Sequence, residues 1–348
     1  MVRRVSAFED LLVGWDGEQV AVRYDAELST WMFIGVHSTA RGPAGGGTRM
    51  RVYERPEDGL ADALKLSSAM TRKFAVCDVP RGGGKAVLAV PALPTGETRT
   101  KLLHRFGEFV TSLGGLYSCA PDMNTSEHDM DTIAETSPYV VCKTVEKGGS
   151  GSTSPATARG VFYGIEASAK FALEVVDLQG VRVLVQGMGS VGALLAEYLS
   201  EAGAELLVSD VEEDRLTLGT PVAPEDVLTT ECDVLAPCAV GGVINAGTVD
   251  ALKCKVIAGA ANNQLAEPWL ADRLHERGIL YAPDYVINSG GVLQGAGLES
   301  LGWDEAMVEQ RLRGIGDQLL ELYAEDGSPV HAADRLVDRR LAAASRWG

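Results

Sequence analysis

The chain has 348 residues, of which 46% are apolar and 23% are charged, a balance typical of globular proteins large enough for two domains. Its 48 acidic and 31 basic residues give a net charge of -17, which repels nucleic-acid phosphates and anionic membrane surfaces. Acidic residues interrupt the N-terminus before the apolar region of a signal peptide, and no apolar run elsewhere is long enough to span a bilayer. We therefore expect a cytoplasmic protein without nucleic-acid or membrane partners.

Strand and helix patterns alternate in the first part of the chain. The predicted elements are paired strands over 18–37, a helix over 57–70, a buried strand over 86–90 and an amphipathic helix over 98–113. Pro56 opens the first helix, and Lys73 is expected just past its end. This alternation predicts an α/β layer.

A Gly- and Ser-rich break, EKGGSGSTSP, follows at 146–155 and suggests a domain boundary. Beyond it we predict helices over 156–174 and 193–202, strands over 181–186, 205–210, 232–237, 255–260 and 279–283, and a helical segment over 304–347. The pattern predicts an N-terminal α/β domain and a C-terminal Rossmann-type domain with a doubly wound parallel sheet.

The motif GMGSVG directly follows a predicted strand and opens a predicted helix, which is the pattern of a dinucleotide-binding turn. Gly187 permits the tight turn, Gly189 lets the pyrophosphate approach backbone N–H groups, and Gly192 lets the helix lie close to the sheet. Asp210 ends the next strand, where its carboxylate would accept ribose hydroxyls and repel a 2′-phosphate, so NAD is favoured over NADP. A simple turn residue is the alternative for Asp210. The predicted turn also includes Met188, Ser190 and Val191.

A lysine follows three glycines in the stretch PRGGGKA, which suggests a phosphate-binding loop. That pattern needs a Gly and a Ser or Thr at the positions that hold Val79 and Ala86, so it fails. Burial between the glycines and an apolar strand would lower the pKa of Lys85 and make it a general base. Taken singly, Lys73, Lys85 and Asp122 are as well explained by solvated charges or turn residues.

Six cysteines are scattered without a C-x-x-C pair or histidines at metal-ligand spacing. They predict reduced, mostly buried thiols and no bound metal. A nucleophilic role for Cys119 or Cys238 is the alternative, although no partner histidine can be identified.

Eight blocks of the sequence resemble, in order, the amino-acid dehydrogenases of the Glu/Leu/Phe/Val family. Between residues 42 and 291 these blocks are GPAGGGTRMRVY, AMTRKFAV, PRGGGKAV, APDMNT, GGSGSTSPATARGV, VQGMGSVG, AGAANNQLAEP and YAPDYVINSGG. The nearest likeness is to actinobacterial phenylalanine dehydrogenases. The resemblance implies reversible oxidative deamination of an L-amino acid to a 2-oxo acid and ammonia with NAD, by a homo-oligomer that is a dimer or larger.

The resemblance also assigns roles by position. Lys73 would hold the substrate carboxylate, Lys85 would activate the water that attacks the iminium, and Asp122 would exchange protons with the amino group. Other residues expected at the substrate are Gly45, Gly46, Ala120, Asn262, Asn263 and Val292. Beside the glycine turn, the cofactor is expected to contact Thr157, Cys238, Ala239 and Ala260, with Thr157 at the nicotinamide carboxamide.

The expected division is a substrate and catalytic domain over 1–148, which would also carry oligomer contacts, and an NAD-binding domain over 149–325. A C-terminal helix over 326–348 would pack back on the first domain. The substrate is expected between the two domains, since the second holds the cofactor and the first supplies the charged groups.

Substrate choice depends mainly on Gly45. Relatives that act on aliphatic amino acids typically carry Leu there, so the resemblance implies a pocket enlarged for phenylalanine or another aromatic side chain. Branched aliphatic substrates such as leucine and valine are the alternative, and an inactive NAD-binding sensor is a more distant one. The sequence shows no cation for a side-chain carboxylate, which counts against glutamate. It leaves open the particular amino acid, the oligomer size, the physiological direction and the pathway.

Overall fold

The structure is a computed structural model of the chain and describes residues 7–344. The chain forms two compact units. The described residues up to Ser152, with those from Arg339 onward, make up unit 1, and Thr153–Asp338 make up unit 2. The predicted α/β class with two domains is confirmed. The ends of the predicted first domain and C-terminal helix, residues 1–6 and 345–348, lie outside the described residues.

Unit 1 is a five-stranded mixed sheet with helices on both faces. Its elements are α1 (Ala7–Val13), β1 (Gln19–Asp25), β2 (Thr30–Ser38), β3 (Ala44–Arg51), α2 (Pro56–Val76), β4 (Gly82–Ala89), α3 (Gly96–Thr111), β5 (Tyr117–Pro121), α4 (Glu127–Ala134) and a 3₁₀ turn (Val145–Lys147). The strand order is β1-β2-β4-β3-β5; β3 is parallel to β4 and β5, and β2 is antiparallel to β1 and β4.

Alternation along the strands divides the core of unit 1 between the two faces of the sheet. Met32 and Ile34 of β2 pack with Phe106 of α3 on one face. Phe33, between them in sequence, packs with Leu60 of α2 on the other. The sheet is therefore buried on both sides, and α2 covers the face from which Phe33 projects.

Two strand predictions in unit 1 are corrected by the structure. Strand β3 was not predicted, and β4 begins at Gly82 rather than after the glycines, so Lys85 lies within a strand. Glycine is needed there because the helix above lies very close: a Cβ at Gly83 would be 2.1 Å from the backbone nitrogen of Thr71. A Cβ at Gly46 would be 1.8 Å from the carbonyl oxygen of Gly84.

Helix α2 continues beyond its predicted end at residue 70, so Lys73 lies in its last turn rather than past it. The buried face of the helix extends through Phe74 to Val76, and this packing prolongs the helix. At its end, Arg340 donates hydrogen bonds to the carbonyl oxygens of Ala75 (3.0 Å) and Val76 (2.5 Å). Arg340 therefore caps the helix that carries Lys73.

Unit 2 is a six-stranded parallel sheet. Its elements are α5 (Ser154–Leu173), β6 (Arg182–Gln186), α6 (Ser190–Glu201), β7 (Glu205–Ser209), β8 (Thr220–Pro221), β9 (Val234–Pro237), β10 (Val256–Ile257), α7 (Leu270–Glu276), β11 (Leu280–Tyr281), α8 (Asp284–Ile287), α9 (Gly290–Ser300) and α10 (Glu305–Tyr323), with 3₁₀ turns at Glu213–Arg215, Pro224–Asp226 and Val249–Ala251. Helix α11 (Pro329–Ala344) begins in unit 2 and ends in unit 1. The order β8-β7-β6-β9-β10-β11 is the 3-2-1-4-5-6 order of dinucleotide-binding sheets. The strand order reverses between β6 and β9, because β7 and β8 are added on one side of β6 and the later strands on the other, and ligands bind such sheets at that switch point.

Within the described residues, the helical segment predicted over 304–347 consists of two helices. Helix α10 ends before Gly327, which has a φ of +89°, and α11 begins at Pro329. Proline stands at a helix start because its missing N–H needs no partner there. None of the helices within residues 7–344 is long and apolar enough to cross a membrane.

Alanine should have opposite effects at two glycines, one packed under α2 and one in open space on α10. Gly83→Ala should lower the thermal unfolding midpoint by several degrees, because its Cβ would overlap the Thr71 backbone and overpacking costs about 1 to 3 kcal/mol. Gly314→Ala is the matched control on α10, where a Cβ would meet nothing within 4 Å and should slightly stabilise the helix. Circular dichroism melting of both variants measures the shifts. Equal midpoints for wild type and Gly83→Ala would contradict the packing described.

Candidate active site

The structure brings two of the predicted catalytic residues together. Lys85 of β4 is only 4% exposed, and its Nζ lies 3.0 Å from Oδ1 of Asp122, which directly follows β5. Strand β3 runs between these two strands. A Cβ at Gly47 of β3 would be 3.0 Å from the Lys85 Nζ and 2.8 Å from the Asp122 Cβ, so glycine leaves the space in which the pair meets.

Asp122 is held as a carboxylate by two positive neighbours. The Nε of Arg49 donates a hydrogen bond of 2.9 Å to its Oδ2, opposite the contact with Lys85. Burial acts to raise the pKa of the Asp122 carboxyl, but the charges of Lys85 and Arg49 outweigh burial and hold that pKa at about 2. The side chain is therefore anionic at neutral pH.

The pKa of Lys85 is subject to opposing effects. Burial lowers the pKa of its ammonium group below the ordinary lysine value, Asp122 opposes this, and the charges of Arg49 and Lys73 lower the pKa further. Lys73 lies in the final turn of α2, and its charge lowers the Lys85 pKa in the same direction as that of Arg49.

Arg49 has a structural support that the sequence did not reveal. Its NH1 donates to Oδ2 of Asp62 at 3.0 Å, and the hydroxyl of Tyr53 donates to the same oxygen at 2.7 Å. Asp62 on α2 thus orients the guanidinium that faces Asp122. The available clue was position: Arg49 is two residues after Gly47, so it lies on the same face of β3 once that strand is recognised.

Two side chains border the position beside Gly45. Gly45 and Gly47 lie on one face of β3, and Ala120 of β5, half-buried, pairs with Gly47. A Cβ at Gly45 would be 3.2 Å from the Nε of Arg81 and 3.3 Å from the Cζ of Phe74. The sequence did not predict a guanidinium at this position, and the enlarged pocket stays a prediction.

In unit 2, the GMGSVG motif forms a tight turn at the switch point between β6 and β9. Gly187 has a φ of +96°, and a Cβ there would be 2.6 Å from the Cβ of Ala239. A Cβ at Gly192 would lie 1.8 Å from the carbonyl oxygen of Gly187. Gly189 precedes α6, which opens with Ser190 and Val191, and a Cβ at Gly189 would meet nothing within 4 Å. Open space therefore lies at the N-terminus of a 12-residue helix.

Asp210, directly after β7, closes this turn. Its Oδ2 accepts the N–H of Met188 at 2.7 Å, its Oδ1 accepts the N–H of Glu212 at 3.0 Å, and Arg215 lies 3.7 Å away. Burial acts to raise the pKa of the Asp210 carboxyl, but the N–H groups of Glu212 and Met188 outweigh burial and lower it. An ionised carboxylate at the end of the second strand, an open helix N-terminus and a glycine turn suit the ribose and pyrophosphate of a dinucleotide.

The two cysteines near the motifs stay protonated. Cys238 follows β9 and donates its backbone N–H to Gln186 at 2.7 Å, which places it beside the glycine turn. Cys119 of β5 is fully buried. Burial raises the pKa of both thiols to about 12, which argues against a nucleophilic role for either.

Asn288 ties together two predicted residues of the loop after β10. It is 6% exposed, and its Nδ2 donates to the carbonyl oxygen of Ala260 (3.1 Å) and to Oδ1 of Asn262 (2.8 Å). Asn263 adopts a left-handed φ of +52°, and the carboxylate of Asp284 accepts its N–H. Asn288 was quoted in a sequence block but not given a role, because its contacts are non-local.

Thr157 and Val292, predicted at the cofactor and substrate respectively, are half-buried residues of two packed helices, α5 and α9. A Cβ at Gly291 would be 3.0 Å from the Thr157 Oγ1, which also donates to the carbonyl oxygen of Thr153 at 2.9 Å. The close packing of α9 on α5 therefore fixes the position of this hydroxyl.

Taken together, a dinucleotide-binding turn on one unit and a buried lysine–carboxylate pair on the other define an oxidoreductase of the amino-acid dehydrogenase class. Residues 20–139 match the sequence model described as Glu/Leu/Phe/Val dehydrogenase, dimerisation domain. Residues 148–213 and 205–344 match that of Glutamate/Leucine/Phenylalanine/Valine dehydrogenase. The chain belongs to the Glu/Leu/Phe/Val dehydrogenase family.

Individual relatives cover almost the whole chain. It is 41% identical to leucine dehydrogenase of Geobacillus stearothermophilus over 337 residues, 94% of this chain and 91% of the relative. It is also 41% identical to valine dehydrogenase of Streptomyces virginiae, covering 93% of each. The crystal structure of L-tryptophan dehydrogenase from Nostoc punctiforme has a TM-score of 0.81 at 36% identity, covering 97% of this chain and 99% of that one.

These matches establish an oxidoreductase that acts on CH–NH₂ donors, in a family that uses NAD or NADP. The likeness to phenylalanine dehydrogenases in particular stays a prediction.

The charge balance at Asp122 predicts a pH-dependent loss of stability. Asp122→Asn should lower the free energy of unfolding by about 2 kcal/mol at neutral pH, since the positive charges of Lys85 and Arg49 would lose their partner. A folded-state pKa of about 2 lies below the ordinary 3.8, so this stabilisation is present above 3.8 and is lost as the pH falls toward 2. Urea unfolding of both proteins should therefore give a difference that shrinks across this range.

The exposed ion pair of Asp58 with Arg55 supplies the control. Asp58→Asn should leave the urea midpoint close to that of wild type at neutral pH, because solvent screens an exposed ion pair. A wild-type advantage over Asp122→Asn that stays constant down to pH 2 would show that the carboxylate charge is not the cause.

Proposed function

We propose that the protein catalyses the NAD-dependent, reversible oxidative deamination of an L-amino acid to a 2-oxo acid and ammonia. The observation that carries this proposal is the Lys85–Asp122 pair, 3.0 Å apart and buried on a glycine-lined face of unit 1. Unit 1 would hold the amino acid, and unit 2 would hold the dinucleotide.

The charged groups of unit 1 match the needs of the reaction. Lys73 supplies a cation for the substrate carboxylate. Asp122, anionic at neutral pH, stabilises the positive charge of the iminium and exchanges protons with the amino group; its low pKa favours the first task. Lys85, whose pKa burial lowers, is the base that takes a proton from the attacking water.

The remaining predicted residues complete the two binding sites. In this proposal Gly45, Gly46 and Ala120 of unit 1 border the amino acid. Bound NAD would supply the acceptor for the hydride of the substrate Cα. The turn from Gly187 to Gly192 and the α6 N-terminus would hold its pyrophosphate, and Thr157 its carboxamide. Cys238, Ala239 and Ala260 border the same site.

For the substrate, we favour an aromatic L-amino acid such as phenylalanine. Support comes from the missing side chain at Gly45 and from the similarity to a protein named L-tryptophan dehydrogenase. Branched aliphatic substrates are the second candidate, because other relatives are named leucine and valine dehydrogenase. Both candidates share the chemistry of the charged residues and differ only in the group that fills the side-chain pocket.

We also propose a cytoplasmic homo-oligomer without nucleic-acid or membrane partners. The family model that matches residues 20–139 is described as a dimerisation domain, which supports self-association through unit 1. The net charge of -17 supports the absence of nucleic-acid and anionic-membrane partners.

A substrate panel tests the proposed reaction. Purified protein should form NADH with L-phenylalanine but not with L-glutamate, measured by absorbance, and kcat/KM for phenylalanine should exceed the values for leucine and valine. Lys85→Ala should lower kcat at least about 100-fold without preventing NAD binding in a fluorescence titration. NAD binding without turnover of any L-amino acid would favour a sensor and reject the enzyme.

Cofactor preference should depend on Asp210. Asp210→Ser should raise kcat/KM with NADP relative to NAD by at least about tenfold, because the carboxylate no longer repels the 2′-phosphate and Arg215 remains nearby to pair with it. The matched control is Asp214→Ser, an exposed acid of the same loop, which should leave the ratio unchanged. An unaltered ratio in Asp210→Ser would remove this residue from cofactor selection.

A further inference from the structure

Arg81 occupies a position that the proposed reaction has not used. It directly precedes β4, and its side chain folds over β3 so that Nε lies 3.2 Å and NH2 3.5 Å from the point where a Gly45 Cβ would stand. The same NH2 lies 3.5 Å from the carbonyl oxygen of Ala44. The side chain is half-buried, and although burial lowers the pKa of the guanidinium, an arginine keeps its charge at neutral pH.

The face of the sheet on which this guanidinium lies is the catalytic one. Side chains two residues apart project from the same side of a strand, so positions 45 and 47 of β3 share a face. A Cβ at Gly47 would touch the Lys85 Nζ, while a Cβ at Gly45 would touch Arg81. The strand rise places these two points about 6.6 Å apart. Arg81 therefore borders the same face of β3 as the lysine that is proposed to act on the substrate.

We propose that Arg81 is the specificity-determining residue for the substrate side chain and recognises an aromatic ring by stacking its guanidinium on the ring face. This inference rests on the proposed function with an aromatic substrate. It adds to the room left by Gly45 a group that would contact the ring, since the guanidinium and the Phe74 ring border the position that Gly45 leaves without a side chain.

The distances suit a ring. The centre of a phenyl group lies about 4 Å from Cα by ordinary bond lengths. A cation attracts a ring face within about 6 Å of its centre. An amino acid whose Cα is next to Lys85 and whose side chain is directed along β3 toward Gly45 would thus bring its ring toward the guanidinium that borders Gly45. The Phe74 Cζ, 3.3 Å from the Gly45 point, adds an apolar edge that suits a ring better than a hydrated carboxylate.

Ring fluorination tests this contact, because each fluorine withdraws electron density from the ring face and weakens its attraction for a cation. We would measure kcat/KM for L-phenylalanine and its 4-fluoro, 3,5-difluoro and pentafluoro derivatives. Wild type should lose activity progressively, by about tenfold across the series. Arg81→Met, which keeps an unbranched side chain without charge, should give a flat series, and Arg81→Lys should keep part of the slope.

Arg23→Met provides the matched control. Arg23 is a half-buried arginine of β1 whose guanidinium lies 4.8 Å from the ring centre of Phe109, at the opposite edge of the same sheet. This variant should keep the wild-type slope and kcat/KM. Thermal midpoints within a few degrees of wild type would show that both variants fold. If Arg81→Met does not fold, Arg81→Lys provides the test.

Each outcome decides a separate point. A flat series in wild type, or an equal slope in Arg81→Met, with phenylalanine still turned over, would overturn the role of Arg81 and leave the proposed function standing. Turnover of leucine and valine but of no aromatic substrate would reject the aromatic function and this inference with it. Turnover of L-glutamate that Arg81→Met selectively loses would also overturn it, since the guanidinium would then recognise a carboxylate.

Discussion

The arrangement of unit 1 depends on a buried ammonium group and a carboxylate that share a surface almost bare of side chains. Lys85 and Asp122 are 3.0 Å apart, and loss of either partner would leave the other charge buried and uncompensated. Glycine is required beside them, because a Cβ at Gly47 would reach both groups. Neighbouring glycines let α2, which carries Lys73 in its last turn, lie against the strands. Room for the buried ion pair and helix packing thus impose the same demand on the sequence.

The candidate dinucleotide site of unit 2 is built differently. It consists mainly of backbone groups, with a turn at Gly187 and an open helix N-terminus at Gly189, and the carboxylate of Asp210 lies beside them. This carboxylate accepts the Met188 N–H, so the residue expected to select the ribose also fixes the turn expected to hold the pyrophosphate. Selectivity between the two dinucleotides is therefore coupled to the shape of the turn.

Features with a local cause could be predicted from the sequence, and those imposed by packing could not. The dinucleotide turn was predictable because glycine spacing, a preceding strand and a following acid all lie within one short segment. The glycine runs of β3 and β4 have little strand propensity, and pairing within the sheet makes them strands. Helix α2 was predicted too short because its last turn is stabilised by burial of Phe74 and Val76. Arg81 lies beside Gly45 although the two residues are far apart in the sequence, and no periodicity reveals such a contact.

The discontinuity of unit 1 has a consequence for how the protein is made. Its sheet is complete by residue 121, yet the carbonyl groups that end α2 are capped by Arg340. On the ribosome, unit 2 emerges entirely before that arginine does, so it can fold while the earlier half still awaits this contact. Nascent chains stalled short of Arg340 should thus leave the end of α2, which carries Lys73, frayed until the residues that follow unit 2 have been made.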